Sequence, residues 1–348
     1  MNYGISILFR AIPLFMGAVC LGLGIYVLSG GPDAGHFVAG HVLIALTAIC
    51  IALFTTAAVI IRQLTNTFGP EWKYILPIIG YTAALATAVW GLWVRGGSAA
   101  ADAFVAGHVM FGVGLIAACV STVATASVRF TLIPKNSAAR HEDGPPPSAY
   151  GAGVGWILIC VPLAATLVGG VWAAMLLTKE AVTDHYVAGH VLMGLAAISS
   201  CLIALVATVV RQVRNQFDEG ERWYWSWWVL LMGSATFLWG LFVLFGSDRP
   251  ERIAPGCVLL GLGMICYSIF SKVFLLASVW RRSFPLANRV PLIPILTCLA
   301  CVFFSAFLAE AVASDANFLV PARVLTGLGA VCFTLFSIVS ILEAGTSK

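Results

Sequence analysis

A chain of 348 residues with 60% hydrophobic and only 10% charged residues, at a mean hydropathy of +0.97, holds too little charge for a soluble globular surface, where roughly 25% is usual. The composition is that of an all-α polytopic membrane protein, and no loop is long enough to house a soluble domain with its own core. The net charge of +4 reflects where the bases sit along the chain, so no nucleic-acid partner is expected.

A bilayer-spanning helix needs about 20 mostly apolar residues. Ten stretches qualify, at 8–29, 37–61, 74–95, 103–128, 152–177, 186–210, 224–246, 253–280, 290–313 and 318–342. The first is read as a retained span, not a cleaved signal, because it belongs to the repeating unit described below. Between the fourth and fifth lies PKNSAARHEDGPPPS, residues 134–148, whose prolines and polar residues mark a cytoplasmic linker. Arg10, Arg62, Lys73, Arg129, Lys135, Arg140, Arg211, Arg214, Arg222, Arg281, Arg282, Arg289 and Lys348 fall at one set of span ends, with both termini. Only Arg95, Lys179, Arg249, Arg252 and Arg323 fall at the other. Basic residues favour the cytoplasmic side, so both termini are expected there.

An internal repeat organises the spans. FVAGHV occurs at 37–42 and again at 104–109, and YVAGHV follows at 186–191. Aligning His41, His108 and His190 and continuing gives Cys257 within PGCVLLGLGMI and Arg323 within PARVLTGLGAV. Around these five anchors the chain divides into two-helix units at about 5–66, 70–133, 149–217, 221–284 and 287–345. Four residues after each anchor stand Ala45, Gly112, Gly194, Gly261 and Gly327, and two later Thr47, Gly114, Ala196, Gly263 and Gly329. Small residues let membrane helices approach closely, so the even helices are expected to form the inner set. Two-helix repeats share one orientation, and parallel repeats are related by an axis along the membrane normal. A pseudo-fivefold ring of hairpins, in a single transmembrane domain, is the natural arrangement. A central pore does not follow, because close-packed glycine faces close a centre equally well.

The anchors begin their helices. Asp102 and Asp184, six residues before His108 and His190, stand where a helix N-cap belongs. His36 and His185, five residues before their anchors, read as interfacial rings. For His41, His108 and His190 three readings compete. One is a buried, hydrogen-bonded ring that locks neighbouring helices. Another is a pH sensor, since histidine alone has an ordinary pKa between pH 5 and 8. A third is a zinc or haem ligand, weakened by Cys257 and Arg323 at the other anchors. Acids outnumber bases on this face at neutral pH, and protonating His36, His41, His108, His185 and His190 together reverses its sign. Such a swing is self-repulsion on the side most exposed to acid.

Lys272 is the clear charge inside a span, which is a functional hypothesis by default. Snorkelling toward the cytoplasm is the plainer alternative. Arg323, with Glu310 and Asp315 close in sequence, reads as a structural ion pair. All ten cysteines fall within spans; Cys298 and Cys301 have C-x-x-C spacing, read as small packing residues one turn apart. ERWYWSWWV, residues 221–229, is an interfacial aromatic belt. No Walker motif, dinucleotide fingerprint or nucleophile–base arrangement is present. The expectation is therefore a protein that is not an enzyme, with no catalytic residues, no cofactor and no metal.

FVAGHV, STVATAS followed by LIPKN, GMICYSIFSKV, LANRVPLIP and GLGAVCFTLFSIVSILEAG resemble the YhiM family of bacterial inner-membrane proteins over essentially the whole length. The resemblance implies a ten-helix inner-membrane protein connected with survival at low pH. It supplies no catalytic or transport residues. The leading expectation is an acid-responsive membrane protein that passes an ion or small solute, gated by histidine protonation, with Lys272 lining the inner half of the path. The alternative is a non-transporting lipid-binding or scaffold protein whose histidines only join helices. Membrane lipids are partners in either case, and the sequence leaves the oligomeric state open.

Overall fold

The computed structural model describes residues 3–64, 72–97, 100–128, 152–214, 216–246, 248–279 and 289–346. The linker expected at 134–148, and with it Arg129, Lys135, Arg140, Arg281, Arg282 and Lys348 of the charge asymmetry, lies outside these residues. Every regular element among the described residues is helical, and ten are long and apolar enough to cross a membrane. They are α1 (Tyr3–Ser29), α2 (Ala34–Leu64), α3 (Trp72–Gly97), α4 (Ala101–Ser127), α5 (Ala152–Leu177), α6 (Thr183–Val213), α7 (Glu219–Phe245), α8 (Ile253–Val279), α9 (Leu292–Ala311) and α10 (Leu319–Thr346). Short 3-10 turns at Pro250–Arg252 and Ala316–Phe318 precede α8 and α10.

The helices form two layers. In the most apolar stretch of α2, α4, α6, α8 and α10, 72% to 83% of residues are buried, against 28% to 33% in the odd-numbered helices. The odd helices carry the exposed large side chains, such as Phe15, Trp93, Trp156, Leu231 and Phe303. In water such a surface would be untenable; against acyl chains it is the expected lipid face. The inner helices contact one another in a closed cycle, α2 to α4, α4 to α6, α6 to α8, α8 to α10 and α10 back to α2.

Lipid is as apolar as leucine, so tight packing rather than water exclusion must hold inner helices together. The small residues four past the anchors provide it. A Cβ added to Gly112 would meet Leu195 and Leu192, one at Gly194 would meet Leu259 and Leu262, and one at Gly261 would meet Leu328 and Leu325. At Gly327 it would meet Leu46 and Leu43, which closes the cycle. Each glycine is a hole for leucines of the next inner helix. Within a hairpin the approach is closer still. A Cβ on Gly107 of α4 would stand 2.6 Å from the Gly91 carbonyl oxygen of α3, so only glycine fits on either side.

A belt of small polar groups crosses the same interfaces deeper in. The Cys119 side chain lies beside Ser199, Cys201 beside Cys266, Cys332 beside Ser268 and Cys50 beside Thr334. Each pair joins two neighbouring inner helices. The cysteines are free thiols. Buried hydroxyls bond back to their own helices, as Thr56 does to Ala52 and Ser121 to Ala117, which leaves few unsatisfied polar groups in the apolar interior.

Candidate functional site

The N-terminal ends of the inner helices set the histidines. His41, His108 and His190 each place Nδ1 at 2.7 to 2.8 Å from the carbonyl oxygen four residues earlier, on Phe37, Phe104 and Tyr186. A carbonyl only accepts, so Nδ1 carries the proton and Nε2 is the nitrogen that acid would protonate. The same three aromatic residues lie against the imidazoles, with ring centroids 4.1 to 4.3 Å apart. His108 and His190 are buried, and His41 is half-buried.

Each imidazole also meets a tryptophan from the next outer helix. His41 packs on Trp90 of α3 at 5.5 Å, His108 on Trp172 of α5 at 5.1 Å and His190 on Trp239 of α7 at 5.9 Å. Sequence reasoning missed these tryptophans, although the signal is present. Each stands eighteen residues before the anchor that follows it, His108, His190 and Cys257. At the remaining two junctions the corresponding residues are Ser305 and Leu23, opposite Cys257 and Arg323. Histidine and tryptophan are thus present together or absent together.

Charge gathers around two of the histidines. The Arg95 guanidinium lies 4.9 Å above the Trp172 ring, on the tryptophan that His108 touches. His185 stacks on Phe104 at 4.7 Å, so it shares an aromatic neighbour with His108. The His108 Nε2 and His185 Nδ1 atoms are buried without hydrogen-bond partners. Arg249 lies 5.0 Å above the Tyr186 ring beside His190 and donates to the Glu180 carbonyl at 2.6 Å. His36 stands apart from this cluster and is bonded to Asp33 through both its backbone N–H and its ring.

The capping assignment of Asp102 and Asp184 is corrected. The N-caps are Ala100 and Val182, and neither makes a side-chain cap bond. The helices begin two residues earlier than the acids imply, which puts both carboxylates inside the first turn, where the positive end of the helix dipole still favours them. Asp102 accepts from the N–H of Ala103. The acids that do cap are eight residues before their anchors: Asp33 ahead of α2, and Asp315, which accepts from Asn317 at 2.9 Å. That bond also corrects the ion pair expected for Arg323. Asp315 is used as a cap, Glu310 is exposed, and among the described residues Arg323 forms no ion pair. The five histidines and the acids therefore do not converge on one centre. Among the described residues no three His, Cys, Asp or Glu side chains stand close enough to share a metal ion.

Lys272 lies elsewhere. Inner-helix positions five, eight, twelve and fifteen past the anchors face the common axis and enclose a small cavity of about 30 Å³. Its walls are aliphatic, among them Leu46, Ile116, Ile198, Ile265 and Leu335, and among the described residues Lys272 is the one polar residue lining it. The lysine is 2% exposed. It points into the cavity and does not snorkel, because position fifteen falls on the axial stripe of α8.

Residues 1–347 match the model of a family described as a protein of unknown function, DUF2776. The chain belongs to this family. It is also 56% identical to the inner membrane protein YhiM of Escherichia coli (strain K12), over 100% of both chains. The expected resemblance therefore holds over the full length.

Proposed function

We propose that the protein is a multi-pass inner-membrane protein, with both termini cytoplasmic, that passes a small solute along the axis of a pseudo-fivefold ring of two-helix repeats and responds to acid at its histidine junctions. The observation that carries this reading is the cavity on the axis, enclosed by all five inner helices and holding a buried lysine. A ring of equivalent helices has one axis, and a membrane protein that leaves space and a charge on that axis has a place for solute. The cycle of inner contacts supports the ring, and the repeated glycine–leucine seats support equivalence of its members.

In this reading the present conformation is the closed one. Aliphatic levels above Lys272 exclude water from the axis, and hydrophobic constrictions gate by staying dry. The histidines act from the side. They do not line the axis but join each inner helix to the outer helix of the next repeat. Protonating Nε2 of His108 puts a cation without an acceptor beside Arg95 and His185; at His190 the neighbouring charges are Arg249 and Glu180. Charge in these joints weakens the closed packing and biases the ring toward a second arrangement.

The test is ion and proton flux into liposomes containing the purified protein, near neutral pH and near pH 5. Flux that rises in acid and is lost when His41, His108 and His190 are all replaced by glutamine supports the reading. No flux at either pH from correctly inserted protein sinks it.

A second reading, a non-transporting lipid-binding or scaffold protein, has its own observation. A groove of about 390 Å³ between α1, α2 and α3 is lined by Arg10 and Arg62 together with Leu14, Phe54, Leu76 and Ile79. Two guanidiniums beside apolar walls suit an anionic phospholipid. Stabilisation by such lipids with no flux would favour it.

A further inference from the structure

We infer that the axial cavity is a binding site for a small, monovalent, weakly hydrated anion, held by the Lys272 ammonium. The inference deepens the path reading by naming its solute class, and it rests on the same cavity.

Lys272 is 2% exposed and lines the cavity among aliphatic side chains. The residues at its own level on the other inner helices are Thr56, Val123, Leu205 and Ile338. The Thr56 hydroxyl is committed to the Ala52 carbonyl at 3.0 Å. Among the described residues no carboxylate and no hydrogen bond reaches the lysine. A protonated lysine buried without a partner is unfavourable, so an anion that enters the cavity and supplies the counter-charge gains a binding site there.

The cavity sets the chemistry of that partner. One ammonium balances one negative charge, so the ligand is monovalent. A water needs roughly 10–15 Å³, so about 30 Å³ admits one small ion and excludes sugar acids and acyl chains. Apart from the three N–H donors of Lys272 the walls are aliphatic, so a strongly hydrated anion would surrender its water for too little in return. Weak hydration is therefore the selective property.

Nitrate fits these conditions, and gluconate is a matching sodium salt too large for the cavity. The experiment follows thermal unfolding of the full chain in nanodiscs while sodium nitrate replaces sodium gluconate at constant sodium. A ligand that binds only the folded state raises the unfolding temperature saturably, and a rise of a few degrees is expected. Lys272→Met, which removes the unbalanced charge at similar volume, should melt higher than the wild type in gluconate and show no nitrate-dependent rise. Val123→Phe keeps the lysine but fills the space, and should also abolish the rise. A nitrate response that survives both substitutions, or equal behaviour in nitrate and gluconate, overturns the inference. A response lost in both variants upholds the site even where liposomes show no flux, in which case only the path reading fails.

Discussion

Three junctions between an inner helix and the following outer helix are closed by histidine on tryptophan, and two are not. Where His41, His108 and His190 stand, an aromatic residue lies four positions before and a tryptophan arrives from the neighbour. Where Cys257 and Arg323 stand, the residues four before are Ile253 and Leu319, and the neighbours offer Ser305 and Leu23. Ser305 turns instead to its own hairpin, donating to the Ala322 carbonyl at 2.7 Å. Leu23 packs with Val320 in a small aliphatic cluster. The three residues of a joint are therefore one device. The imidazole is held by its own helix through Nδ1 and lies against two aromatic rings.

The largest effect expected from this difference is the loss of a tryptophan. Trp172 touches His108, Phe111 and Arg95, and Trp172→Ala should destabilise the protein by about 3 kcal/mol, in the range of large-to-small aromatic deletions. Ser305→Ala at a junction without histidine should cost about 1 kcal/mol, the worth of a hydrogen bond. Reversible denaturant unfolding in bicelles measures both. Equal losses would dissolve the distinction between the two kinds of junction.

The pairwise part is smaller. A double-mutant cycle on His108→Ala and Trp172→Ala isolates it, and a coupling of about 1 kcal/mol is expected for an aromatic contact of this geometry. The comparison sharpens further if a fourth joint can be built. Leu23→Trp with Arg323→His, in a background carrying Leu319→Phe, places all three parts at a junction that lacks them. Favourable coupling of about 0.5 kcal/mol between the tryptophan and the histidine is expected. Zero coupling there would mean that the existing joints depend on local surroundings and not on register.

Register is also what separates the legible from the illegible in this sequence. The ten spans follow from length and apolarity alone, and the glycines past the anchors foretold an inner set because backbone approach demands small residues wherever it occurs. The tryptophan partners escaped because their regularity is measured against the anchor of their own hairpin, while their contact lies with the preceding one. Lys272 was ambiguous for a different reason. Whether a lysine snorkels or faces an axis depends on helix rotation, and rotation is fixed by Leu262, Ile265 and Ile269 at the levels above it, which line the same cavity. Asp102 and Asp184 misled because an acid near a helix start resembles a cap, yet a shift of two residues turns a cap into a first-turn side chain. Cys201 and Cys266 could be seen as small and buried, but nothing local reveals that they meet across a helix interface.

The smallest effect tests whether acid acts at the joints or at the helix caps beside them. Asp33 is exposed, and the His36 backbone N–H, assisted by the His36 ring, holds its carboxyl below the usual carboxylate range. A group whose folded pKa is depressed contributes stability that is present above its unfolded value and is lost as pH falls through the folded one. The Asp33 contribution should thus persist through the range in which free histidine titrates and disappear only in stronger acid. Asn can still cap but cannot titrate. Asp33→Asn should be slightly less stable than the wild type at neutral pH, and the gap should close only below the ordinary carboxylate range. The helices beginning after Ala100 and Val182 have no such cap. If instead the gap closes near pH 6, where free histidine titrates, the charge of His36 governs the Asp33 cap. The distinction between joint and cap would then fail at the first inner helix, where both a cap and a joint are present.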